Sequence, residues 1–409
     1  MPEPLGVYVH IPFCRRRCDY CAFATWTGLE ALWERYVAAC VTEASERLPT
    51  FERPATSVFF GGGTPSLLPA ELLAQILAAV EKAAGLAAGA EVTVECNPET
   101  VTASKLSAYR AAGVTRLSFG AQSMQPHVLA SLGREHRPES VCRAAELAGE
   151  AGFAGAYNID LIFGAVGESV ADWGATVEAA LGLSPRPAHV SAYALTVEPG
   201  TPLSKDPARH PDGDDQADKY ALADALLQAA GYGWYEISNW ALPGAECAHN
   251  WLYWSEGEYA GVGCAAHSHA FLAPTAGHGA RSAKSAKSAK RAKRWWNVRT
   301  PERYCRLVEA GRPAEAAGEV LGPGERASEE LMLSLRTRRG VPAEALPDDL
   351  FEEGLVERCS RPLPLAARPQ GEGQGTSVQG ERAVLTLRGR LLANEVSLRL
   401  GSVPVRGGA

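Results

Sequence analysis

Six short β-rich runs, separated by stretches too long for hairpins, dominate the first half of the chain, near residues 5–11, 57–61, 91–96, 114–119, 156–162 and 188–194. Strands alternating with helical patterns read as consecutive βα units around a parallel sheet. The helix after the first run places Leu29, Leu32, Trp33, Tyr36, Val37 and Cys40 on one apolar stripe, as a core-facing helix does. The strands are not the continuous apolar runs of a sheet covered on both faces. They alternate: Val7, Val9 and Ile11 against Tyr8 and His10, Val92 and Val94 against Thr93 and Glu95, Leu117 and Phe119 against Arg116 and Ser118. The last two repeat the pattern, with Ile159 and Leu161 against Asn158 and Asp160, and Val190 and Ala192 against His189, Ser191 and Tyr193. Successive side chains point to opposite faces, so the apolar sets pack under outer helices and the polar sets point into a barrel interior. The competing arrangement, an open antiparallel sheet with its polar positions in solvent, requires short hairpins that the long connections do not supply.

Other classes are excluded by composition. The chain has 409 residues, 46% hydrophobic and 21% charged, with 41 Gly and 27 Pro, which is ordinary for a globular protein. No apolar run approaches the ~18 to 20 residues of a membrane span. Met1-Pro2-Glu3-Pro4 offers neither a basic nor an apolar leader segment, so a cytoplasmic protein is expected. Ten Cys in 409 residues are too sparse for a disulfide scaffold, and a tight Cys cluster then indicates metal or redox chemistry. A net charge of −7 argues against nucleic acid as a partner.

The sharpest motif follows the first strand: Cys14-Arg15-Arg16-Arg17-Cys18-Asp19-Tyr20-Cys21, a C-x3-C-x2-C loop. Three thiolates can ligate three irons of a [4Fe-4S] cube and leave the fourth iron open. A structural zinc is the alternative, but it needs four ligands and no second Cys pair follows. The three Arg beside the sulfurs favour the thiolate form and offset cluster charge. At the end of the second run, Gly61-Gly62-Gly63-Thr64-Pro65 lets backbone approach a ligand closely; a tight turn explains the glycines equally well.

Tyr8-Val9-His10-Ile11-Pro12-Phe13 followed by this Cys spacing resembles the radical S-adenosylmethionine (SAM) superfamily, in its coproporphyrinogen III dehydrogenase-like branch. The resemblance implies an α/β fold, a partial (β/α)6 barrel, with Cys14, Cys18 and Cys21 holding a cluster that donates an electron to SAM. It implies that Gly62, Gly63 and Thr64 belong to the loop contacting the methionyl amino group. Gln122, Arg134 and Asp160 are implied as further SAM contacts, with Tyr8 and Tyr20 counted among the cofactor-binding residues. Glu95, an inward carboxylate at the end of a strand, suits hydrogen bonding to ribose hydroxyls, or is a satisfied polar core residue. Tyr193 completes the rim. No residue is assigned a catalytic role.

Within that branch, the oxygen-independent coproporphyrinogen III oxidases carry a further Cys where this chain has Phe23, and an N-terminal arm where this chain begins its first strand near Leu5. Both departures fit the heme-chaperone relatives, which transfer heme to apoproteins, as does His249-Asn250-Trp251-Leu252-Tyr253-Trp254. A His beside flat aromatics is a reasonable heme ligand or a packed, hydrogen-bonded residue. Cys264 and His267 are secondary candidates. The resemblance therefore implies a heme chaperone with a [4Fe-4S] cluster, SAM and heme, the alternative being a coproporphyrinogen III oxidase of porphyrin metabolism; whether it is an enzyme stays open.

The expected organisation is a barrel core at 1–240, an aromatic and His-rich segment at 241–299, and a small, mainly helical C-terminal domain at 300–409 with a flexible loop near 360–382. Residues 275–294 hold seven positive charges, Arg281, Lys284, Lys287, Lys290, Arg291, Lys293 and Arg294, and no acid. They read as a disordered basic insertion, with peripheral contact to an anionic membrane as its functional alternative.

Overall fold

The structure is a computed structural model that describes residues 3–272, 291–359 and 381–401. Six parallel strands lie side by side in chain order: β1 (Leu5–Ile11), β2 (Ala55–Gly62), β3 (Leu86–Cys96), β4 (Arg116–Gln122), β5 (Tyr157–Phe163) and β6 (His189–Ala194). The apolar member of each alternating pair is buried under the outer helices. Val7, Val9, Ile11, Val58, Phe60, Val94, Leu117, Phe119, Ile159, Leu161 and Val190 form one core with Tyr36, Val37 and Cys40 of the helix Trp33–Arg47, with Leu73 and Ile76 of Ala70–Ala84, and with Trp173 and Val177 of Val170–Leu181.

The polar members face one another inside the curve. Asn158 donates to Ser118 Oγ at 2.7 Å, Asp160 Oδ1 at 2.7 Å and Ser191 Oγ at 3.0 Å. Ser118 in turn donates to Asp160 at 2.9 Å. His189 joins Asn158 at 2.6 Å to Tyr235 at 2.8 Å. Buried polar groups must find partners or carry a desolvation cost, and these find them across neighbouring strands.

The sheet does not stop at six strands. Beyond β6 comes β8 (Asn239–Ala241), antiparallel to it, and β7 (Gly233–Glu236) pairs antiparallel to β8 at the edge. On the other side β9 (Glu258–Val262) pairs in parallel with β1, followed by antiparallel β10 (His267–Phe271), β11 (Ala292–Asn297) and β12 (Glu315–Leu321). The order β12-β11-β10-β9-β1-β2-β3-β4-β5-β6-β8-β7 is one continuous twelve-stranded sheet with two edges, a partial barrel. Lys293 and Arg294, which the sequence reading put in a disordered insertion, belong to β11. They are neutralised there by Glu315 at 2.8 Å, and by Glu319 at 2.8 Å with Glu329 at 3.3 Å. Arg281, Lys284, Lys287 and Lys290 lie outside the described residues, as does 360–380.

A second core gathers Leu335, Val341, Leu350, Leu355, Val356, Leu385, Val396 and Leu400 around a small antiparallel sheet, β13 (Val341–Pro342), β14 (Val356–Cys359) and β15 (Arg382–Leu385). Arg390 ties this core to the barrel. Its guanidinium donates to both oxygens of Asp224, at 2.9 and 2.6 Å, and lies over the Trp234 ring at 4.5 Å, with both charges nearly inaccessible. Removing one partner of a buried pair strands the other charge, typically at ~3 to 5 kcal/mol, whereas replacing both by apolar groups is far less costly. Arg390→Ala is therefore expected to lose about that much stability in urea denaturation, and the Arg390→Met/Asp224→Leu double variant to recover most of it; a single variant as stable as the parent would contradict the assignment.

Candidate functional site

The carboxyl ends of the parallel strands meet at one cavity of ≈ 490 Å³ lined by Cys14, Cys18, Tyr20, Cys21, Gly62, Gly63, Thr64, Glu95, Gln122, Arg134, Asp160 and Tyr193, with Phe23 also on its wall. This is where barrel folds place their sites, because the loops after each strand converge there.

The cysteine loop is held by backbone bonds at its base. Cys14 donates to the Trp26 carbonyl at 2.9 Å and Trp26 returns a bond to Pro12 at 2.7 Å. The glycine loop is stitched to it, with Gly63 N–H donating to Ile11 O at 2.8 Å and Thr64 N–H to Phe13 O at 2.9 Å. Only glycine fits at 62 and 63. Gly62 has φ +113, and a Cβ there would lie 2.5 Å from the His10 ring; one on Gly63 would lie 2.7 Å from Phe13 O. The Thr64 hydroxyl reaches Cys14 Sγ at 3.6 Å.

Two residues that the sequence reading left without a role set this geometry. His10, buried beneath Gly62, donates from Nε2 to Ala24 O at 2.8 Å and receives the Tyr8 hydroxyl on Nδ1 at 3.1 Å, so it fastens the far side of the cysteine loop to the strand. Burial lowers its pKa to about 4, which keeps that tautomer neutral. His136 bonds Ala121 O at 2.8 Å and accepts from Arg134 Nε at 3.3 Å. Arg134 is thereby aimed at Cys18 Sγ, 3.4 Å away, and at Gly120 O, 2.9 Å away. The signal for His10 was its inward place in the alternation; for His136, its place two residues after Arg134.

The guanidinium in hydrogen-bond contact with sulfur is therefore Arg134, while within the Arg15-Arg16-Arg17 triplet the charge of Arg17 favours the Cys21 thiolate against the burial that raises its pKa. Arg16 pairs with Glu135 in solvent at 2.5 Å, and Arg17 donates to the Cys21 carbonyl.

Deeper in the cavity, Gln122 stands at a β-bulge with φ +64. Burial, reinforced by the charge of Asp160, pushes the Glu95 carboxyl up to about 8, while the Gly62 N–H at 3.1 Å pulls the other way. Asp160 is also raised by burial, against hydrogen bonds from Ser191, Ser118 and Asn158.

The donor chemistry fits an iron–sulfur cluster. All three cysteines are free and partly exposed to the cavity. Burial pushes the Cys14 thiol up to about 11 and raises Cys21 as well, so the cation must supply the stabilisation that makes them thiolates. Among the described residues no three His, Cys, Asp or Glu side chains converge as the ligands of one ion would; a cube asks for three separate sulfurs, one per iron.

The model of the Radical SAM superfamily matches residues 8–180, which contain the cysteine loop and every strand end of the cavity through Asp160. The heme chaperone HemW of Mycobacterium tuberculosis is 39% identical over 402 residues, covering 96% of this chain and 94% of that protein. The heme chaperone HemW of Bacillus subtilis is 32% identical over 399 residues, covering 96% and 97%. The chain belongs to the HemW family of the radical SAM superfamily. A solved structure of coproporphyrinogen III oxidase (HemN) from Escherichia coli, described as a radical SAM enzyme, shares the fold at a TM-score of 0.76 with 21% identity, over 98% of this chain and 90% of that one. Membership of the superfamily implies a [4Fe-4S] cluster and SAM.

His249 is not on the cavity. It sits on the helix Ala248–Trp254, with Glu91 accepting the Ala248 and His249 backbone N–H groups at 3.2 Å. The side chain is inaccessible, its Nδ1 bonded to Ser57 at 2.9 Å and its Nε2 to Tyr253 at 3.0 Å, with the ring stacked on Phe59 at 5.3 Å. Burial lowers its pKa to about 3. Cys264 is buried against the Tyr36 hydroxyl, 3.5 Å away.

Two outcomes follow. Cys14→Ala should bring iron and acid-labile sulfide of anaerobically reconstituted protein to background; unchanged iron would refute the cluster loop. Glu95, with a folded pKa above its unfolded value, contributes stability that is full below about pH 4.5 and lost as pH rises towards about 8. Thermal denaturation of metal-free protein between about pH 5 and 9 should show the parent losing stability relative to Glu95→Gln, and parallel profiles would contradict the assignment.

Proposed function

We propose that this chain is a heme chaperone, which binds heme and passes it to apoproteins, and that its barrel mouth holds a [4Fe-4S] cluster with SAM beside it. The observation that carries this reading is 39% identity to a named heme chaperone over 96% of the chain, joined to a cavity into which one short loop brings the three cysteines Cys14, Cys18 and Cys21. Cys14, Cys18 and Cys21 would ligate three irons. Gly62, Gly63 and Thr64 would offer bare backbone to the amino acid end of SAM, and Glu95, Gln122, Arg134 and Asp160 would hold the remainder, with Tyr20 closing around them, whereas Tyr8, expected among the cofactor contacts, does not line the cavity and bonds His10 instead. When bound, the cluster supplies an electron able to cleave the sulfonium.

The chain's own residues prepare the site. His10 and His136 fix the cysteine loop and Arg134, and the Arg134 guanidinium stands 3.4 Å from the Cys18 sulfur. Glu95, whose pKa burial raises to about 8, can donate as well as accept a hydrogen bond near pH 7. A reducing compartment such as the cytoplasm suits ten free cysteines; among the described residues no helix is long and apolar enough to cross a membrane.

The second reading, a coproporphyrinogen III oxidase, shares the fold. Against it, Phe23 occupies the position of the oxidases' additional Cys, 67% exposed on the cavity wall. Purified cluster-loaded protein is expected to take up heme stoichiometrically, to yield it to a heme-free acceptor apoprotein, and to leave coproporphyrinogen III unchanged under anaerobic reducing conditions with SAM. Turnover to protoporphyrinogen without heme transfer would establish the oxidase instead.

A further inference from the structure

The concave face of the sheet continues past the cluster cavity onto a wall of rings. Strand pairing determines which side chains reach it. Gly6 pairs with Tyr259 and Tyr8 with Gly261 in the parallel β1–β9 ladder, while Val7 pairs with Ala260 and Val9 with Val262 on the helix-covered face. In the antiparallel ladders His269 is opposite Tyr259, and His267 is opposite Trp296. Residues paired across a ladder share a face, and residues two apart on a strand share it too. Tyr8, Tyr259, His267, His269, Phe271 and Trp296 therefore all project to the lumen side, while Ala260, Val262 and Ser268 are buried on the other. Of these rings none lines the cluster cavity.

The imidazoles at this surface are not equivalent. His10 and His249 have both ring nitrogens engaged. So does His189, deeper in the barrel. His269 is buried with Nδ1 on Gly257 O at 3.0 Å. His267 alone among these five is exposed. Partial burial lowers its pKa, against the pull of the nearby Ala265 carbonyl. An exposed neutral imidazole can present a ring nitrogen to a metal.

The turn before His267 is built to hold it there. Ala265 occupies the left-handed region at φ 55, a conformation that persists in a residue with a Cβ only where its surroundings impose it. Buried groups do so. Gly263 N–H donates to Glu43 at 2.8 Å, Cys264 N–H to the Tyr36 hydroxyl at 2.9 Å and Ala265 N–H to Val298 O at 2.9 Å, while Ala266 O accepts from Asn297 at 3.0 Å. Beside the imidazole, the Trp296 ring lies 5.6 Å away at an interplanar angle of 32°. Tyr259 continues the wall, packed by the edge of Tyr253 at 4.7 Å, and Tyr253 is in turn held by His249.

We infer that His267 would supply an imidazole to heme iron on the lumen face that also carries Tyr259 and Trp296, and that His249 is a positioning residue acting through Tyr253. This rests on the heme-chaperone reading above. An open imidazole beside flat aromatic faces is the chemistry that an iron porphyrin requires.

The test is an anaerobic hemin titration of the full-length, cluster-loaded chain, followed by absorption and electron paramagnetic resonance of the ferric heme. The parent should saturate with a histidine-ligated spectrum. His267→Ala, with unchanged iron content and far-UV circular dichroism, should lose that signature and bind more than about tenfold more weakly, and added imidazole should restore the parent spectrum. His249→Ala and Tyr253→Phe should weaken binding but keep the signature. Loss of the signature in His249→Ala with retention in His267→Ala would overturn the ligand assignment and leave the chaperone reading standing. A parent chain that binds no hemin would overturn both.

Discussion

A curved sheet that turns polar side chains inward must satisfy them without solvent, and the rest of this structure depends on how it does so. Asn158 is the centre of that solution, linking Ser118, Asp160, Ser191 and His189 across three strands. Arg116 extends it downward, donating to Ala245 O at 2.9 Å and standing 3.7 Å from Glu91. Glu91 then receives the first backbone N–H groups of the helix that carries His249. Loss of a partner at these buried positions is costly, so the network sets strand register, although Arg116 Nη2 has no partner of its own.

The same enclosure shapes the chemistry at the rim. Carboxyl and thiol groups held away from water shift towards their neutral forms, as Glu95, Asp160, Cys14 and Cys21 do. A site assembled from such groups favours a cationic or metal-bearing guest, because the guest provides the charge that burial withholds. The loops meeting there are cross-bonded to each other, which keeps the cysteine and glycine loops in fixed relation.

Much of this was legible in the amino acids. The six strands lie within a few residues of where alternation put them, except that β3 starts earlier, at Leu86. The glycine, cysteine and acidic positions named from sequence line one cavity. Alternation and motif spacing are local properties, each readable within a window of ten or so residues. The Arg beside sulfur was not legible in this way: three Arg adjoin the cysteines in sequence, yet Arg134, 116 residues beyond Cys18, makes the contact.

What the sequence determined by itself was the period-two pattern that separates lumen from core, and the donor set of the cysteine loop, since both follow from residue type and spacing. Tertiary structure alone decided that β9, some 250 residues away, pairs with β1 in parallel. It also decided that Lys293 and Arg294 spend their charge on neighbouring glutamates, and that His249 is closed while His267 is open. The reason is physical: a side chain's period is set by its own backbone, but its partners are set by whichever distant segment packs against it.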